Sequence, residues 1–208
     1  MTIDSKDMLN SILSSISGID YVKTKDIPNI NLYMDQVTTF MEEQFSSTKR
    51  YDTDKILTKT MINNYAKNNL LPPPVKKKYS KGHILAMIFI YYFKNILSIK
   101  DIETMLAPIT ENYFDGEKDF NIASIYEEVF KMEKSRIDAV QKDVARSYTK
   151  SLDCFSDIPD LSDEELKQLQ TFAFICSLSF DVYIKKQIIE KLIDDMPEPE
   201  HHKNRTKK

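Results

Sequence analysis

Residues 56–106 read ILTKTMINNYAKNNLLPPPVKKKYSKGHILAMIFIYYFKNILSIKDIETML, and their order decides the fold. Thr58 is a good helix N-cap, and Met61, Ile62 and Tyr65 recur on one helical face, so a helix is predicted over 58–68. Asn68 and Asn69 follow, and asparagine tolerates the left-handed conformation in which helices end. Pro72, Pro73 and Pro74 hold the next stretch extended. The basic segment 75–79 has no glycine to turn a hairpin, which predicts an extended loop and at most a minimal β wing. Ser80 then caps a helix of about 81–96. Residues Ile84 to Phe93 are apolar on nearly every side, so this helix is predicted to be central and buried. Ser98 and Asp101 form a capping box for a helix over 99–106, which Pro108 is expected to stop.

The same reading extends to both ends. Met8, Leu9, Ile12, Leu13 and Ile16 predict a helix over 5–17 with Gly18 as its C-cap. Tyr33, Val37, Phe40, Met41 and Phe45 predict a helix over 31–46 with those side chains inward, followed by a polar loop over 46–54. Residues 122–150 read as one long helix. Ser162 and Glu165 box the start of another, 163–194, ended by Pro197 and Pro199. The tail HHKNRTKK is expected to be disordered. Only 3 glycines in 208 residues leave too few turns for a β-sandwich or a βαβ enzyme, so the fold class is all-α. The organisation expected is an N-terminal helix at 1–26, a domain at 27–109, a helical dimerisation region at 110–195 and a tail at 196–208.

Charge is distributed unevenly. The net charge is −3, yet residues 55–100 hold nine lysines and no acid, which leaves −12 on the rest. Lysines alone are unremarkable in a chain rich in them. The missing acids indicate a surface that faces a polyanion. Catalytic chemistry is thin by contrast. His83 is the one internal histidine and reads as half-buried and structural. HExxH and Cys/His metal spacings are absent, as are GxGxxG and GxxxxGK loops. Cys154 and Cys176 lie among apolar residues and read as inert, and the carboxylate pairs 127–128, 164–165 and 194–195 read as solvated helix faces. No enzyme, cofactor or metal site is expected. The longest apolar run, Ile84 to Tyr92, is too short to cross a bilayer, and Asp4 and Asp7 are unlike a secretory leader, so a cytoplasmic protein is expected.

The segment 56–106 resembles the MerR-type winged helix-turn-helix of bacterial regulators. Ile62 and Tyr65 fall on that family's Ile and second Tyr, Leu70 and Leu71 on its leucine pair, and Tyr79-Ser80 on the end of its wing. Ser98, Ile99 and Ile102 fall on its last helix. With Leu32 to Gln36 upstream, residues 27–195 look like an uncharacterised bacterial family of such MerR-like proteins. The sequence departs from the pattern at Asn63 and Ala66, where the family has Arg and Glu, and its wing arginines are lysines here.

The resemblance implies double-stranded DNA as partner, 58–68 as reading helix, 75–79 as a short basic wing, and a homodimer held by the C-terminal helices. The residues themselves point the same way. Lys59, Thr60, Asn63, Asn64 and Lys67 share the face opposite Met61, Ile62 and Tyr65, and Asn pairs bidentately with adenine. Lys76, Lys77 and Lys78 reach phosphates, which position without specifying. Five or six such contacts predict a salt slope of roughly −4 to −5. Phe172, Phe174, Ile175, Leu178 and Phe180 exceed one apolar stripe, which suits a bundle core or a dimer interface. The alternative reading is a protein–protein adaptor that takes an acidic partner on the same lysines. Nothing in the sequence specifies an operator or an effector.

Overall fold

The computed structural model describes residues 5–17, 21–114, 118–197 and 199. It is mostly helical, with α1 Ser5–Ser17, α2 Met34–Phe45, α3 Lys59–Lys67, α4 Lys81–Phe93, α5 Ile99–Asn112, α6 Ile122–Lys131, α7 Glu133–Leu152 and α8 Asp163–Asp194. Two short strands, β1 Leu32–Tyr33 and β2 Lys78–Tyr79, pair antiparallel with Leu32 opposite Tyr79 and Tyr33 opposite Lys78. The expected C-cap Gly18 and the tail from residue 201 lie outside the described residues. The chain divides into two units. One holds residues 22–129 and the described residues from Ile189 on. The flanking unit holds those up to Tyr21 together with 130–188. These divisions differ from the boundaries at 26, 109 and 195 drawn from sequence.

Local signals in the 22–129 unit act as physical chemistry requires. The Thr58 hydroxyl accepts from the Met61 N–H at 3.2 Å and starts α3. Asn69 ends it at φ 56°, with the Leu70 N–H bonded to the Tyr65 carbonyl and the Asn69 N–H to the Ala66 carbonyl. This paired closure satisfies carbonyls that the helix would otherwise leave open, and the buried Tyr65 and Leu70 accompany it. Ser98 and Asp101 make both bonds of their capping box at 3.1 Å. Ser80 is boxed by His83 in the place usually held by Glu.

Every residue of α4 from His83 to Ile90 is buried. α5 and β2 pack on it and Phe45 meets its Tyr91 and Tyr92 rings, and Val37, Met41, Phe45, Ile62, Leu71, Ile102 and Leu106 of the same unit are buried as well. Tyr65, Leu70, Tyr79, Ile84, Ile88 and Ile102 are each at most 6 % exposed.

Several expectations need correction. α5 runs through Pro108 to Asn112. Proline removes the N–H that would donate to the Thr104 carbonyl, but Leu106 and Ala107 are buried just ahead of it and hold the helix on course. Tyr33 is half exposed because it belongs to β1 and caps α2 instead of lying on its inner face. The 122–150 helix is two helices, separated at Met132, which is 66 % exposed. His83 is buried, and both cysteines are partly exposed free thiols.

In the flanking unit α1, α7 and α8 share a small core of Val144, Tyr148 and Phe174, with Leu9, Ile12, Leu13, Val140 and Leu178 against it. The Tyr148 and Phe174 rings meet edge to face at 5.3 Å. The box of Ser162 and Glu165 starts α8, and the bonds from Ser162 hold the Glu165 carboxyl below its usual range. No helix among the described residues is long and apolar enough to cross a membrane.

Candidate nucleic-acid interface

The five residues assigned to the reading face, Lys59, Thr60, Asn63, Asn64 and Lys67, are all exposed, while Ile62 and Tyr65 on the other side of α3 are buried. The two faces follow from helical spacing. The apolar side locks the rotation of the helix and leaves the short polar side chains in solvent. Lys59 forms an ion pair with Asp35 in the first turn of α2. Asp35 was not legible as a neighbour, because it lies 24 positions upstream of Lys59.

The basic segment is a hairpin turn, not the extended loop expected from its lack of glycine. Val75 pairs with Lys78, whose N–H donates to the Val75 carbonyl at 2.9 Å. The two residues at the tip, Lys76 and Lys77, have φ of 50° and 63°. Positive φ at both central positions is the turn that suits strand twist and normally calls for Asn-Gly. A lysine there sets its Cβ against the backbone, a strain of about 1–2 kcal/mol per residue. Both tip lysines are exposed. Lys78 is half-buried, with its ammonium 5.0 Å from the centre of the Tyr33 ring.

Lys59 and Lys78 therefore come together at one end of α2, through Asp35 and Tyr33, two residues apart. Tyr33 is a member of this surface that sequence reasoning put in the core. Not every lysine of the acid-free segment faces out. Lys94 donates to the Ile56 carbonyl at 2.7 Å, and burial lowers its pKa.

No curated protein and no solved structure matches the chain at significance. One family model does, over residues 22–129, which are also the limits of the long continuous part of one structural unit. The match covers more than half of the 208 residues, and the chain belongs to the family described as Domain of unknown function (DUF1836).

Proposed function

We propose that this protein is a non-enzymatic, MerR-like DNA-binding regulator. It lays α3 in the major groove and sets the Val75–Lys78 hairpin on the phosphates. The observation that carries the reading is the tip of that hairpin. Two lysines stand where asparagine and glycine would form the same turn with less strain, and backbone strain of this kind collects where function needs a side chain. The exposed Asn63 and Asn64 supply the base-reading groups. With Lys59 held by Asp35, four lysines remain for phosphates, and the salt slope becomes about −4.

A single module of this size without arginine on its reading helix holds DNA weakly, and pairing offsets this through effective concentration. The surface for pairing is the outer side of α8. Phe174 and Leu178 face the core, whereas Phe172, Ile175, Phe180, Val182, Tyr183, Ile184 and Ile188 are each 55–66 % exposed. Val182 and Ile188 fall on the flanks nearer the core, and the other five offer about 500 Å² of apolar area, less than each partner of a standard interface covers.

The second reading, an adaptor for an acidic protein, draws support from the Asp35–Lys59 pair, which takes a cation away from the reading face. Selection of bound sequences from random duplex DNA at physiological salt separates the two. An enriched motif with two half-sites about 34 Å apart supports the regulator. Recovery of unselected sequences, with binding to an acidic polypeptide of equal strength, rejects it.

A further inference from the structure

Residues 55–100 hold no acid, yet the fold returns a carboxylate to the start of α3. Asp35 stands in the first turn of α2, where a helix start favours an anion, and it pairs with Lys59, the first residue of α3. The side chains of Asp35 and Lys59 are 75 % and 60 % exposed. An ion pair so open to water contributes little to stability, so fastening α2 to α3 is a weak reason for it. It also opposes binding. On a surface that faces phosphates, a carboxylate repels the polyanion over a Debye length of about 10 Å at 0.1 M salt.

The place of the pair indicates its use. In a helix-turn-helix the N-terminal residues of the reading helix meet base edges, and Lys59 is at that end of α3. A lone lysine there takes a guanine or a nearby phosphate, because both offer acceptors. The Asp35 carboxylate repels the phosphate and sets an acceptor beside the Lys59 donors. In the major groove a G·C pair shows the complement, with acceptors at guanine N7 and O6 and a donor at cytosine N4. O6 and N4 are hydrogen-bonded to each other within the base pair, so they lie side by side, as the ammonium and the carboxylate do. A T·A pair also shows an acceptor beside a donor. It carries a methyl group where guanine has N7, so the ammonium finds one acceptor there instead of two.

We infer that the Lys59–Asp35 pair reads one G·C base pair. Lys59 donates to guanine N7 and O6, and the cytosine amino group donates to the Asp35 carboxylate. Asp35 is then a specificity-determining residue supplied by α2, outside the reading helix. The inference rests on the DNA-binding reading and adds to it the identity of one base pair and the residues that select it.

The test is selection from random duplex DNA with the full chain, run in parallel for the wild type, Asp35→Ala and Lys59→Gln. The wild type should enrich a motif with a G·C pair at one position, and changing that pair to T·A should weaken binding about tenfold. Asp35→Ala should lose most of this preference and keep the rest of the motif. It should also bind nonspecific DNA more tightly, with a salt slope steeper by about 1 unit, as Lys59 turns to a phosphate. Lys59→Gln should lose preference at the same position. Asp181→Ala removes a carboxylate paired with Lys185 in the flanking unit and should change neither readout, which separates base reading from net charge. An Asp35→Ala motif identical to the wild type at every position overturns the inference and leaves DNA binding standing. So does tighter binding of all duplexes without a change of motif, because Asp35 then only repels phosphates. A wild type that enriches no sequence overturns the inference together with the reading on which it rests.

Discussion

α4 and α8 carry the same kind of sequence and meet opposite fates. Each is apolar around more than one face. α4 has 13 residues and disappears into the 22–129 unit, where α5 and β2 pack on it and the Phe45 ring meets Tyr91 at 4.3 Å. α8 has 32 residues, and the core of the flanking unit takes one of its sides. Phe172, Ile175 and Tyr183 fall on the opposite side, together with Cys176 and Ser179. With Phe180, the last three line a shallow apolar groove of about 290 Å³. The difference teaches that apolar residues all round a helix forecast burial without saying what provides it. A short helix is covered by its own chain, whereas a long one presents more surface than its neighbours reach.

The strongest way to break this comparison is to delete the same atoms from each helix. Ile88→Ala in α4, where the side chain is fully buried, should lower stability by about 2–5 kcal/mol. Ile175→Ala in α8, 55 % exposed, should cost about 0.5 kcal/mol or less in dilute protein. Urea denaturation at low concentration reads both. Equal losses would mean that the two helices are equally enclosed.

The hairpin gives the next largest effect. Changing Lys76, Lys77 and Lys78 to Ala should weaken binding to every duplex alike, by up to about a hundredfold, and flatten the salt slope by at most about 3 units. Fluorescence anisotropy across a salt series would show it. Unchanged binding to nonspecific DNA would end the phosphate-contact role.

Pairing comes third. Phe172→Glu with Tyr183→Lys should raise the dissociation constant of the dimer by about tenfold or more while far-ultraviolet dichroism stays the same. A wild-type chain that sediments as a monomer at every concentration would leave the outer side of α8 without this occupant and would favour the adaptor reading.

A smaller effect separates strain from binding. Lys76→Asn with Lys77→Gly installs the residues that the turn prefers, so it should raise stability by about 1 kcal/mol and weaken DNA binding at the same time. A variant that gains stability and keeps its DNA affinity would show that the tip lysines serve something else.

The smallest expected effect is a pH dependence in the core of the 22–129 unit. Burial holds the pKa of His83 below 6.5 in the folded chain, so the unfolded chain binds its proton first as pH falls. The stability contribution is complete above about pH 6.5 and declines below it. His83→Gln keeps a side chain able to accept the Ser80 N–H and should remove this decline, as thermal melts between pH 7 and about pH 5 would report.

The sequence by itself determined the helical class and where most helices begin. Caps act within one turn, so Thr58, the Ser98–Asp101 box and the Ser162–Glu165 box needed nothing distant to be read. It also determined which side of α3 faces out, because apolar spacing on a helix leaves one rotation. Tertiary structure decided what depends on partners far along the chain. Tyr33 turned outward because β2, 45 positions later, pairs with its strand. Lys76 and Lys77 entered the left-handed region because Val75 and Lys78 close on each other and β2 is held by β1. Pro108 stayed inside a helix because Leu106 and Ala107 are buried against the rest of the unit. Local chemistry is encoded within a few residues, whereas the free energy that overrides it comes from burial, which only the folded chain supplies.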